Sequence, residues 1–177
     1  MTIPGFGFGL HPRVRPRVFV SYHHHNDRAY YDQFSRLFED TYDVLQDRSV
    51  EREIDSDNAE YVMRNIRENY LMGTSCTVVL CGIGTPYRKF VDWEIKATLD
   101  KEHGLIGVNL PTNSVTSNGT YIVPDRFFDN HQSCYGIWIQ WNDIVANRTL
   151  LIQQLEVSRQ KDRSLIRNGR ELRVRNG

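Results

Sequence analysis

Glu94 is the carboxylate that this chain surrounds with the right neighbours for chemistry. It follows a buried-strand run, Cys76-Thr-Val-Val-Leu-Cys81, and a small-residue loop, Gly82-Ile-Gly-Thr-Pro-Tyr87, on a helix that starts near Arg88. A solvated helical Glu usually has a Lys or Arg three or four residues away. Glu94 instead has Phe90, Val91, Ala97 and Thr98 at those places. Val91, Ile95 and Leu99 form the core stripe of the helix, with Phe90, Glu94 and Ala97 beside it. Desolvation on such an apolar border is expected to raise a carboxylate's pKa, and strand–loop–helix junctions are where open α/β sheets place their ligand sites. The residues by themselves leave two readings open, a functional carboxylate and a plain surface Glu.

The elements that must position Glu94 alternate between strand and helix. Arg17-Val-Phe-Val-Ser-Tyr22 reads as a central strand ending in a loop at His23-His-His-Asn-Asp27. Asp27 is expected to cap a helix over 28–40, carrying Tyr31, Phe34, Leu37 and Phe38 on one side. Tyr42-Asp-Val-Leu-Gln46 is a short edge strand, 47–57 a charged connecting loop, and 59–72 a helix capped by Asp57 or Asn58. The strand 76–81 leads to a helix over 88–102, which Gly104 stops before a strand at 105–110. A polar insertion loop spans 111–133, a fifth strand 136–141, and a closing helix 147–160.

This alternation predicts one α/β domain over 17–160, with a mostly parallel five-stranded sheet between helical layers, in the flavodoxin-like order 2-1-3-4-5. That order reverses between the first and third strands and opens a crevice lined by Ser21, Tyr22, His23, Gly82, Ile83, Gly84 and Thr85. Residues 1–16 read as an irregular Gly- and Pro-rich arm whose Phe6 and Phe8 could dock, and 161–177 as a basic tail. From Arg159 onward there are seven basic and two acidic residues, read as a solvated extension in preference to a contact surface for an acidic partner.

Bulk composition narrows the partners. With 22 basic and 22 acidic residues the chain has no net field to hold nucleic acid or an anionic membrane. Cys76, Cys81 and Cys134 are an odd set without CxxC spacing, as expected of reduced thiols in a cytoplasmic protein. No apolar run reaches the roughly 18 residues of a membrane helix, and residues 1–10 lack the pattern of a signal peptide. Consecutive His23, His24 and His25 point in different directions on an extended backbone and have no Cys or carboxylate at ligand spacing, so no metal is expected.

Three stretches together resemble a known family. Val18-Phe-Val-Ser-Tyr22 with His23, His24, His25 and Asp27, then Ser75-Cys-Thr-Val-Val-Leu-Cys-Gly82, then Arg88-Lys-Phe-Val-Asp-Trp-Glu-Ile95, are similar to Toll/interleukin-1 receptor (TIR) domains. The likeness is to the bacterial TIR-like branch that includes the NAD-consuming sensors of Thoeris anti-phage systems, and it covers roughly 17–110. The resemblance implies a catalytic Glu four positions after an aromatic, usually Trp; Phe90 and Glu94 hold those places, with Phe for the customary Trp. It also implies that Ser21, Tyr22 and His23 line a nucleotide site; beside it, the residues themselves offer Phe90 or Tyr22 for stacking on a ring and the loop Gly82 to Thr85, with Gly84 and Thr85, for approach of backbone amides to phosphate. Ser21 as a strand end, Tyr22 as core and His23 as a loop histidine stay open beside that reading.

What the resemblance implies for function is cleavage of the nicotinamide–ribose bond of NAD, which is substrate and not cofactor, to give an ADP-ribose-derived signal, cyclic or conjugated. Such a product would act on a separate effector protein. A non-catalytic module that assembles with itself or with other TIR domains is the competing expectation.

Overall fold

The computed structural model describes residues 15–45 and 58–177. The expected docking of Phe6 and Phe8 and the charged loop 47–57 lie outside the described residues. Five strands, β1 Arg17–Tyr22, β2 Asp43–Leu45, β3 Thr74–Cys81, β4 Gly104–Asn109 and β5 Ile137–Gln140, form one sheet in the order β2-β1-β3-β4-β5. All neighbouring strands pair in parallel. The strand order expected from the alternation is therefore the one observed, flavodoxin-like and with β2 at an edge.

Helices among the described residues are α1 His24–Phe38, α2 Ala59–Asn65, α3 Lys89–Asp100, α4 Asp125–Gln132, α5 Trp141–Ala146 and α6 Arg148–Arg159. Apolar side chains on β1 alternate between the two faces, as a pleated strand requires. Val18, Val20 and Tyr22 join Tyr31, Phe34, Phe38, Leu151 and Leu155 in a core beneath α1 and α6. On the other face Phe19 packs with Val62, Ile66, Phe90, Trp93 and Ala97. Val91, Ile95 and Leu99 of α3 bury against Val79, Leu105 and Phe127. Each such side chain, fully buried, contributes about 1.5–3 kcal/mol.

Several boundaries differ from expectation for physical reasons. Helix α1 begins at His24, and Asp27 lies inside its first turn instead of capping it. Asp27, Tyr31, Phe34 and Phe38 fall at i, i+4, i+7 and i+11, one buried stripe that begins with a carboxylate. Asn58 is the cap of α2, accepting from the Tyr61 amide at 3.1 Å, and the helix finishes in a π turn over Ile66–Tyr70. Gly104 does not stop α3 but opens β4; Glu102, at φ 55°, makes the left-handed turn. A Cβ at Gly104 would stand 2.4 Å from Ser158 Oγ, so close packing by α6 explains that glycine.

The expected insertion loop 111–133 contains helix α4, whose buried residues are Arg126, Phe127 and Asn130. Only one of the three is apolar, so hydrophobic periodicity gives no sign of it. The tail is not a solvated extension. Arg126 donates to the carbonyls of Arg170 and Glu171, both at 2.9 Å, and Trp93 Nε1 donates to Arg173 O at 2.8 Å. Asn130 exchanges two bonds with the Arg167 backbone. The tail thus lies along α3 and α4, because a buried guanidinium needs acceptors and the tail carbonyls supply them. Among the described residues no helix is long and apolar enough to cross a membrane.

Candidate functional site

Ser21 is the last residue of β1 whose side chain faces α3, and its Oγ donates to Glu94 Oε2 at 2.5 Å. Glu94 is only 3% exposed, so it is no surface Glu. It sits where the stripe of Val91 and Ile95 meets the cluster of Phe90, Trp93 and Ala97. A short hydroxyl–carboxylate bond in such surroundings is a strong one and fixes the rotamer of the acid.

One residue further along, Tyr22 points to the opposite face of the sheet. Its ring stacks on Tyr31 at 4.6 Å, and its hydroxyl lies 3.1 Å from His24 Nδ1. The strand's two-residue period therefore separates Tyr22 from Ser21 and Glu94. Phe90 lies one turn before Glu94 on α3, 5.6 Å from the Trp93 ring and 9% exposed.

His23 turns back toward the β3–α3 connection. Arg88 Nη2 bonds His23 Nε2, and because a guanidinium can only donate, Nε2 accepts and the ring proton is on Nδ1. Gly84, at φ 86°, passes so close that a Cβ there would be 3.2 Å from His23 Nδ1. Asn26 Nδ2 adds a bond to Ile83 O at 3.0 Å. The structure thus brings together Ser21 with Glu94 and His23 with Gly84, at the carboxyl ends of β1 and β3.

Thr85 is fully buried and serves a residue that sequence reasoning treated only as a cap. Its hydroxyl donates to Asp27 Oδ2 at 2.9 Å and accepts from the Gly82 amide at 3.1 Å. Thr112, after β4, donates to Asp27 Oδ1 at 3.5 Å. Burial pushes the Asp27 carboxyl up to about 6, the two threonine hydroxyls pulling the other way. Arg88 and Asp27 are the contributors missed from the sequence; the stripe Asp27, Tyr31, Phe34, Phe38 was the available signal for the second.

Two surface clefts lie away from Glu94. One of about 740 Å³ is bordered by Arg17, Glu39 and Asp43, and one of about 360 Å³ by Pro86, Asp125 and Arg173. Glu94 itself is buried, and neither cleft is bordered by it.

The family model described as Thoeris protein ThsB, TIR-like domain, matches residues 19–115, the span that runs from Phe19 within β1 through β4 and holds every residue of this site. No curated protein matches the chain.

Proposed function

The chain belongs to the family of Thoeris ThsB TIR-like domains, and from that premise we propose that it is an anti-phage enzyme that cleaves the nicotinamide–ribose bond of NAD. The observation that carries this reading is the buried Glu94 held by Ser21 at the reversal point of the sheet. Breaking the bond develops oxocarbenium character at the anomeric carbon, and nicotinamide departs as a neutral molecule that needs no acid. One fixed carboxylate is then enough. It holds the ribose hydroxyls and stabilises positive charge more in the transition state than in the ground state. Ser21 keeps the acid oriented, which removes the cost of ordering it during reaction.

Phe90 supplies an aromatic surface one turn from the acid, and the Gly84 backbone, free of a side chain, lets amides approach phosphate. Attack by water on the ribosyl centre gives ADP-ribose; attack by a nucleophile within the same molecule gives a cyclic isomer that diffuses to a separate effector. The competing reading, a non-catalytic interaction module, draws support from the burial of Glu94, which is 3% exposed.

Incubation with NAD under phage-triggered conditions, with free nicotinamide measured for the parent and for Glu94→Gln, decides between them. Release by the parent and loss in the variant is the expected result. Equal release by both removes Glu94 from the mechanism.

A further inference from the structure

We propose that Asp27 is the positioning residue for the candidate site, the common anchor through which Thr85 and Thr112 hold the loops after β3 and β4 closed at the carboxyl edge of the sheet. The proposal rests on the NAD-cleaving reading only for what the closed loops do, not for the closure itself.

Asp27 is 0% exposed and stands on α1, yet its two oxygens are taken by hydroxyls from two other loops. The fit is tight: a Cβ at Gly82 would meet Asp27 Oδ1 at 2.2 Å, so the chain passes over the carboxyl only because residue 82 is glycine. The chain of bonds runs from the Gly82 amide to Thr85 Oγ1 and on to Asp27 Oδ2. Thr85 has a second, longer acceptor in Leu80 O at 3.4 Å. Thr85 opens the 3-10 turn Thr85–Tyr87, which runs directly into α3 and Glu94. Asp27 therefore governs the segment that carries Gly84, Thr85 and Arg88.

No cation lies within ion-pair distance of Asp27 among the described residues. The titratable group facing it from β3 is Cys81, whose thiol is pushed up by burial and by the Asp27 charge. An ionised carboxyl enclosed by hydroxyls and a thiol is desolvated without full compensation. Any motion that lets water reach it is favoured by ionisation and opposed by protonation. At neutral pH the loops anchored on Asp27 are consequently held under an opposing load, which their parting relieves.

The test is amide hydrogen exchange of the full chain at residues 82–88, corrected for intrinsic rates, with pH varied across the Asp27 range near about 6. For the parent, protection of these amides is expected to fall about tenfold as pH rises through that range. Asp27→Asn keeps an acceptor for Thr85 but cannot ionise, so its protection is flat and stays at the parent's acidic level. Thr85→Val lowers protection at every pH and serves as the second variant should Asp27→Asn fail to fold. A parental pH slope in Asp27→Asn, or unchanged protection in Thr85→Val, overturns the proposal. In the activity arm, Asp27→Asn raises KM for NAD and leaves kcat near the parent's; an unchanged KM also counts against it. A parent silent towards NAD under triggering conditions refutes the NAD reading, while the exchange arm still decides the role of Asp27.

Discussion

Arg126 forks onto Asp92, with Nε 2.8 Å from Oδ1 and Nη2 3.2 Å from Oδ2, and neither side chain is more than 8% exposed. The pair joins α4 to the helix that carries Glu94. Its remaining donors reach Asn168 Oδ1 at 3.0 Å and the carbonyls of Arg170 and Glu171. Removing the guanidinium would leave Asp92 buried and charged, with the Arg173 amide as its remaining donor at 2.9 Å. Arg126→Met is therefore expected to lose about 3–5 kcal/mol in urea unfolding. Arg126→Lys is expected to recover little of it, since an ammonium cannot reproduce the planar fork.

Ser21 tests whether orientation of the acid matters apart from the acid itself. Ser21→Ala deletes one hydrogen bond to a carboxylate, worth about 1.5–3 kcal/mol. Under the proposed chemistry kcat for nicotinamide release is expected to fall about 10- to 100-fold, and the unfolding midpoint to drop by the equivalent of about 1.5–3 kcal/mol, a loss that the conservative Ser21→Thr restores in part. Steady-state kinetics beside a melting curve checks both halves.

Gly107 lies in β4 beneath α4. An added Cβ would stand 2.4 Å from Phe127 Cζ and 2.7 Å from Trp138 Cε3. Both rings belong to the core on that face, where Phe127 is 1% exposed. Gly107→Ala is expected to cost about 1–3 kcal/mol by overpacking, measured by chemical denaturation. Gly107→Ala combined with Phe127→Leu is expected to recover part of that loss, because the shorter side chain vacates the ring edge.

Acid stability should reflect two groups that oppose each other. His103 is pushed down from 6.5 to about 4 by burial, with Lys101 and Arg163 adding to the effect. Its contribution is present above 6.5 and is lost as pH falls through about 4. Asp27, raised from 3.8 to about 6, has the reverse sign: its contribution is complete below 3.8 and is lost as pH rises through about 6. Asp27→Asn leaves His103 unopposed, so its melting temperature is expected to fall more steeply than the parent's on acidification from 6.5 towards 4. His103→Gln is expected to flatten or invert that dependence.

The sheet order and the approach of β1 to the Glu94 helix were legible in the sequence because strands that are local apolar runs alternate with segments of helical spacing. The burial of Glu94 was legible because its helical neighbours are apolar. Less could be read where polar residues are buried by partners distant in sequence. Arg126 and Asn130 look like the surface of a loop until residues 167–171 supply their acceptors and donors. Tyr22 was grouped with Ser21 by adjacency, but the pleat sends them to opposite faces. Asp27 looked like a cap because three histidines before it masked the start of α1.

The tail lying along α3 has a consequence for how the protein is made. Arg88 gives α3 no side-chain cap; the first amide of the helix, that of Lys89, donates instead to Asn176 Oδ1 at 2.9 Å, and the Gly177 amide bonds Tyr87 O at 3.0 Å. These contacts bridge more than eighty positions of chain. On the ribosome, a nascent polypeptide that has already threaded Glu94 out of the exit tunnel still lacks the groups that seat the beginning of its helix. Emergence of Arg173–Gly177 therefore sets the moment at which the acid acquires its final address.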